Sequence, residues 1–316
     1  LKVTQENLDN QRNAVQEEKR LRYDNQPYVN AFLRMNELIF TNPANAHSTI
    51  GSMEDLNAAT VEDVAEFFKM YYAPNNAVLV LVGDFKTADA LAKIRANFES
   101  IPRQPDPPKV DMTEPQQKAE RRATMEDQLA RAARIDMAYK AVEGNTADFY
   151  ALQVLSAALQ SGQSSRLYQK LVKEKEMVTG VGGFMDEKRG VGAFYTNATL
   201  RPNVKTEDVE ALIYAEVERL KKEPIADWEL QKAKNTTRRN FINNLQSTLS
   251  RAVSMGQYTV YYNDPNLINT RLDKVAAVTK EDVQRVANKY LVDTNRTIVI
   301  TMPKAKAKSA TTQSGK

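Results

Sequence analysis

Residues 56–85 read LNAATVEDVAEFFKMYYAPNNAVLVLVGDF, and a related pattern returns at residues 275–303 as VAAVTKEDVQRVANKYLVDTNRTIVITMP. With a constant offset of 219, Thr60 falls on Thr279, Glu62 on Glu281, Asp63 on Asp282, Val64 on Val283, Tyr71 on Tyr290 and Asn76 on Asn295. Each copy places Thr where a helix N-cap belongs and Glu-Asp in the first turn, where carboxylates satisfy free amides and complement the helix dipole. Apolar residues then recur at helical spacing: Val61, Val64, Phe67, Phe68 and Tyr71 in one copy, Val283, Val286 and Tyr290 in the other. A polar turn and a β-rich run follow, Ala77 to Val82 and Thr297 to Thr301, so each copy is predicted to be helix, turn, strand. Two copies of one unit imply two related domains.

Composition agrees with that division. A chain of 316 residues that is 42% hydrophobic can bury two ordinary cores. The net charge of +4 lies in the tail: Lys304, Lys306, Lys308 and Lys316 fall in the last fourteen residues, which hold no acid, and without them the rest is neutral. This argues against a nucleic-acid-binding face. Without cysteine there is no disulfide or thiolate chemistry, and either redox compartment is permitted. No apolar run is long enough to span a bilayer, and no signal peptide is recognisable.

Outward from the first copy, Val3 to about Phe40 reads as one or two helices broken near Asn25-Gln26-Pro27, followed by a loop at Thr41 to Ser52 with the one histidine, His47. Ala88 to Phe98 reads as an amphipathic helix. IPRQPDPPKVDMTEPQQ, residues 101–117, holds five prolines and is the predicted interdomain linker. Beyond it come a strand at Ala130 to Val142, a helix at Asp148 to Ser161, and a second helix ending near Lys175. Two strands, Val178 to Met185 and Val191 to Leu200, flank a hairpin turn at Asp186 to Gly190. Helices at Thr206 to Lys222 and Asp227 to about Tyr258 precede the second copy, and a disordered tail is predicted for residues 304–316. Thr60 has 59 residues before it, whereas Thr279 has roughly 150 within its half. If the halves are duplicates, roughly 90 to 100 residues of the first are not in this chain. The chain also opens at Leu1 without Met, so a fragment or processed product is expected.

Most chemistry-bearing residues have structural readings. The glycines at 180, 182, 183, 190 and 192 form no phosphate-cradling pattern and suit a close-packed hairpin. His47 has no second histidine with which to share a metal, the methionines suit core filling, and Ser164 and Ser165 suit helix capping. One constellation remains, Gln11 to Arg20, where Gln11, Val15 and Glu18 share a helical face two turns long. Spacing alone also allows an ordinary solvated helix there.

The repeated unit, together with Gly162-Gln163-Ser164-Ser165-Arg166-Leu167, Trp228 to Lys234 and Thr279 to Val283, resembles the pitrilysin (insulinase, or mitochondrial-processing-peptidase-like) zinc metallopeptidases. The resemblance runs to Pro303. It implies an α+β fold of two homologous domains, each a mostly antiparallel sheet with helices on one face, enclosing a chamber. The expected domains are residues 1–100, the C-terminal part of the zinc-bearing domain; a linker at 101–120; and a second domain at 121–303.

In such a peptidase zinc is held by two histidines of an H-x-x-E-H helix and a downstream glutamate that ends a segment similar to E-R-x-x-V-x-x-E. Here Arg12 and Val15 match, Glu18 falls on the ligand, and Gln11 replaces the supporting acid. H-x-x-E-H is absent, as the single histidine requires, so this chain alone is expected to be inactive and without bound zinc. The family's substrate-holding Arg and Tyr fall on Val172 and Thr179. A homologous partner subunit is therefore expected to supply that pair, giving a dimer that acts on peptide substrates. Non-catalytic subunits of the same fold are the competing reading. Bacterial relatives imply a periplasmic or envelope location, with the cytoplasm as alternative.

Overall fold

The computed structural model describes residues 2–304, and all but the first residue of the predicted tail lies outside them. The first half contains α1 (Gln5–Lys19), which runs into one π-helical turn (Arg20–Asp24), then α2 (Val29–Ile39), α3 (Pro43–Ala46), α4 (Met53–Ala58), α5 (Val61–Tyr71) and α6 (Thr87–Phe98). The second half contains β1 (Arg121–Asp127), β2 (Arg134–Glu143), α7 (Ala147–Gln160), a π-helical stretch (Tyr168–Glu174), β3 (Val178–Met185) and β4 (Val191–Leu200). It continues with α8 (Thr206–Lys222), α9 (Asp227–Asn244), α10 (Thr248–Tyr262), α11 (Leu267–Ala277), α12 (Lys280–Tyr290) and β5 (Arg296–Pro303).

From the helix through the turn, the two matched stretches share local structure residue for residue. α5 and α12 each span 11 residues and begin with a reciprocal capping box, Thr60 with Asp63 and Thr279 with Asp282. Each is followed by a 3₁₀ turn, Pro74–Asn76 or Asp293–Asn295. The matched asparagines do the same work: Asn76 Nδ2 donates to Tyr71 O at 2.8 Å, and Asn295 Nδ2 donates to Tyr290 O at 2.8 Å.

Beyond the turn the stretches part. Thr297 to Thr301 lies within β5, whereas Ala77 to Val82 forms no strand, contrary to the sequence expectation. β5 exists because β1 and β2 bond it on both edges. Among the described residues no strand lies beside Ala77 to Val82, and β propensity does not make a ladder without a partner. The helices differ likewise: α12 buries Val283, Val286, Ala287 and Tyr290, while α5 buries no residue.

The sheet has the order β1-β5-β2-β4-β3, with β1 parallel to β5 and the other pairs antiparallel. Alternation along β2 divides two cores. Ile135, Met137 and Tyr139 meet the helical layer that includes α7, α8 and α12. Ala138 faces the other way and joins Ala193, Tyr195 and Val299 against Ala31, Met35 and Ile39 of α2. The Tyr195 hydroxyl donates to Asn36 Oδ1 at 2.7 Å, so α2 is both packed on and bonded to the sheet. α7 is apolar around nearly its whole circumference and is buried accordingly.

Residues 102–118 form no helix or strand but are tightly fastened. The Glu114 side chain, 1% exposed, accepts from Lys140 Nζ of β2 at 2.9 Å. It also accepts from Thr41 N, Asn42 N and Asn45 Nδ2 at 2.9, 3.0 and 2.9 Å. One carboxylate thus joins the loop before α3 to the central sheet. The helix expected from Asp227 to Tyr258 is two helices, because Leu245 to Ser247 turns the chain and Ser247 Oγ accepts from Ser250 N to cap α10.

Candidate functional site

α1 carries the residues singled out as metal-associated. Thr4 caps it, and the helix buries none of its residues. Arg12 Nε and Nη2 donate to Leu56 O and Ala59 O, each at 2.7 Å, and Arg12 also pairs with Asp9. Gln16 Nε2 adds a bond to Asn57 Oδ1 at 2.7 Å. Arg12 therefore clamps α1 onto the end of α4, a role that its place in the motif does not disclose. Gln11 is exposed and lies two turns from Glu18, roughly 10 Å along the axis. Glu18, 42% exposed at its side chain, sits 3.2 Å from Arg22 Nη1. An ion pair so exposed is weak and leaves the carboxylate free to exchange partners.

Zinc takes about four nitrogen, sulfur or oxygen ligands. Among the described residues no three His, Cys, Asp or Glu side chains are gathered as such a site requires. His47 is exposed, with Nδ1 2.8 Å from Pro43 O. The described residues do not by themselves fit a zinc ion; Glu18 can be one ligand at most.

In the second half, two of the segments quoted above meet. Arg166 Nε and Nη2 bond Glu229 Oε1 and Oε2, both at 2.7 Å, and Glu229 also accepts from Ala226 N at the start of α9. Burial opposes ionisation of Glu229, but its bonds to Arg166 and Ala226 outweigh it and hold the carboxyl below its ordinary value. Ser165 closes a turn by donating from Oγ to Gly162 O at 2.8 Å, rather than capping a helix as expected. Val172 packs against the core, and Thr179 Oγ1 donates to Thr199 O at 3.2 Å. Neither position offers a guanidinium or a phenol.

A groove of about 450 Å³ opens among α7, β3, α9, α10 and α11. Gln153, Ser156, Asn240, Asn244, Ser254 and Gln257 give it a neutral amide and hydroxyl lining. Its charged members pair with each other: Arg271 bonds Glu187 at 2.7 and 2.8 Å, and Tyr262 donates to the same carboxylate at 3.0 Å. Arg271 also lies over the rings of Phe149, Tyr150 and Tyr258. Nothing in the sequence signalled this groove, since those amide and hydroxyl residues come in twos from three helices, α7 lying far along the chain from α9 and α10.

The sequence model described as "Peptidase M16 inactive domain" matches residues 58–237. The chain belongs to the peptidase M16 family. The M16 chain is 30% identical over 295 residues to the zinc protease PqqE of Helicobacter pylori, covering 93% of this chain and 66% of that protein. It is 22% identical to an uncharacterized zinc protease, SCO5738, of Streptomyces coelicolor, covering 92% and 63%. It therefore spans just under two thirds of the length of these curated relatives. Among solved structures, a protease from Helicobacter pylori superposes with a TM-score of 0.88 at 29% identity, covering 96% of this chain and 73% of that one. A peptidase M16 inactive domain from Pseudomonas fluorescens, 20% identical with a TM-score of 0.82, covers 96% and 72% and shares the fold. The M16 match begins at residue 58, after α1, and so leaves Gln11 and Glu18 outside it.

Proposed function

We propose that the protein to which this M16 chain belongs is a zinc-dependent endopeptidase for peptides or unfolded segments. Glu18 would be one metal ligand and Gln11 a hydrogen-bonding support, and the chain alone would be inactive. The observation that carries this reading is the 30% identity, across 93% of the chain, to a protein named as a zinc protease. Glu18 suits the role chemically: it is an accessible carboxylate on a helix that Arg12 holds in place. Two histidines from outside these residues would complete the set. We further propose that residues 1–100 belong to the metal-bearing domain, that 101–120 join it to a duplicate at 121–303, and that a homologous partner subunit supplies the substrate-holding Arg and Tyr. The core position of Val172 and the bonded hydroxyl of Thr179 support the last point.

A second reading, a non-catalytic subunit of the same fold, is favoured by the description of the matching model as an inactive domain. Metal analysis separates the two. In the whole protein, Glu18→Gln is expected to lose bound zinc and to reduce peptide cleavage at least roughly 100-fold. A variant that keeps stoichiometric zinc rejects Glu18 as a ligand, and a whole protein that binds no zinc favours the non-catalytic reading.

A further inference from the structure

Residues 231–263, which form most of α9, all of α10 and the bend between them, contain Lys232, Lys234, Arg238, Arg239 and Arg251 and no aspartate or glutamate. Several other arginines of the second half are matched by carboxylates: Arg122 with Glu210, Arg166 with Glu229, Arg271 with Glu187 and Arg296 with Glu120. Among the described residues none of these five cations has a carboxylate within ion-pairing distance, although Lys234 Nζ donates to Ala276 O at 2.7 Å and Arg251 Nε to Leu245 O. Arg238, Arg239 and Arg251 are exposed, and Leu249 and Val253, which flank Arg251 on α10, are 72% and 59% exposed. Solvated cations are ordinary; a 33-residue stretch with five and no acid is not, in a chain that is neutral apart from its tail.

Both helices also line the polar groove, α9 through Asn240 and Asn244 and α10 through Ser254 and Gln257. Arg239 Nη2 lies 3.4 Å from Asn240 Oδ1, which places one cation beside the groove's amide lining. Lys234 and Arg238 line a neighbouring pocket of about 400 Å³ against α11, where Asp273 is the one carboxylate.

We propose that α9, α10 and the groove they line bind an extended peptide segment rich in carboxylates, so that the substrates of this protein are acidic. The inference rests on the peptide-handling function proposed above and adds the charge class of what is handled. Unpaired cations attract carboxylates over roughly 10 Å at moderate salt. The groove's amides and hydroxyls suit peptide bonds, and exposed Leu249 and Val253 suit apolar side chains spaced between the acids. A polypeptide is favoured over a lipid surface because a flat bilayer does not enter a concave groove. It is favoured over nucleic acid because the body of the chain carries no net positive charge.

The test is direct binding to the chain itself, with no metal and no cleavage involved. Fluorescence anisotropy would compare labelled unstructured peptides of equal length built from Glu-Ser, Gln-Ser or Lys-Ser repeats. The Glu-Ser peptide is expected to bind at least tenfold more tightly than the Gln-Ser peptide at roughly 50 mM salt, and to lose that advantage at roughly 500 mM. Combined Arg238→Ala, Arg239→Ala and Arg251→Ala should abolish the preference, while the corresponding three Lys substitutions should keep it. All three positions are exposed, and thermal melts would check that the variants fold. Equal binding of the Glu and Gln peptides overturns the acid preference but leaves peptide handling standing. Absence of binding to any peptide overturns the inference, and cleavage by the whole protein then decides the peptidase reading separately. Binding to phosphatidylserine vesicles or to an oligonucleotide, without binding to the Glu-Ser peptide, also overturns it.

Discussion

Replacing Glu114 by Gln is expected to lower the free energy of unfolding by about 3 kcal/mol, read as a shift of the urea midpoint. The carboxylate is 1% exposed and Lys140 is 7% exposed, so the substitution strands a buried ammonium. Lys140 Nζ then keeps only neutral acceptors, Pro115 O at 3.1 Å and the carboxamide oxygen. A carboxamide also presents an NH₂ group where Thr41 N, Asn42 N and Asn45 Nδ2 require acceptors. Removing the stranded charge with Lys140→Met in the Glu114→Gln background should recover part of the loss, because deleting both ions of a buried pair costs less than deleting one. An unchanged midpoint would show that residues 102–118 do not hold the halves together.

The same carboxylate carries a pH signature. Burial opposes its ionisation, but bonds from Lys140, Thr41 N, Asn45 and Asn42 N outweigh burial and hold Glu114 below its ordinary value. A depressed carboxyl stabilises the fold above its unfolded value, and that stability is lost as pH falls through the folded value. Asp148, near the start of α7, adds to this. Burial opposes its ionisation too, but Lys289, Tyr290 and Arg285 hold it at about 2, against an ordinary 3.8. Stability should therefore fall as pH drops from about 4 toward 2, with a shallower slope in the Glu114→Gln variant.

Gly183→Ala is expected to cost a further large amount, about 3 kcal/mol, or to prevent folding outright. A Cβ there would lie 2.1 Å from Tyr195 O and 2.4 Å from Gln160 Nε2. Neither neighbour gives way cheaply. The first is backbone of the paired strand β4. The second belongs to a buried side chain that donates to Tyr195 O at 2.8 Å and accepts from Thr196 Oγ1 at 2.6 Å. Gly182, one residue earlier on the same strand, has nothing within 4 Å of its Cβ position, so Gly182→Ala should change stability by less than about 1 kcal/mol. Equal effects at the two positions would refute the steric account.

The sequence disclosed what is local. Capping boxes at Thr60 and Thr279, the hairpin turn before β4 and the Pro27 break each depend on a few neighbouring residues, and each is where periodicity placed it. Family membership was legible from the recurring pattern together with Arg166-Leu167 and Trp228-Glu229. What escaped depends on distant partners. β1, RRATMED, is half charged and becomes a strand through its ladder with β5. Ala77 to Val82 has strand composition but, among the described residues, no strand beside it. No glycine or proline marks the bend at Leu245 to Ser247. The clamp made by Arg12 and the hub at Glu114 join residues 26 to 73 apart in the chain, which no periodicity encodes. Glu18 and Gln11 stand where the helical face put them, but their company in a metal site is not among the described residues.

Ala77 to Val82, AVLVLV, has a consequence for handling the protein in solution. Its six residues are all apolar, with no charge and no proline, and Val78, Leu79 and Leu81 are 45%, 60% and 51% exposed. Such a run offers open backbone donors and acceptors to a second molecule, and nothing in it repels an approaching copy of itself. The isolated chain should assemble reversibly as its concentration rises, and a single gatekeeper, Leu79→Lys, should keep it monomeric in sedimentation.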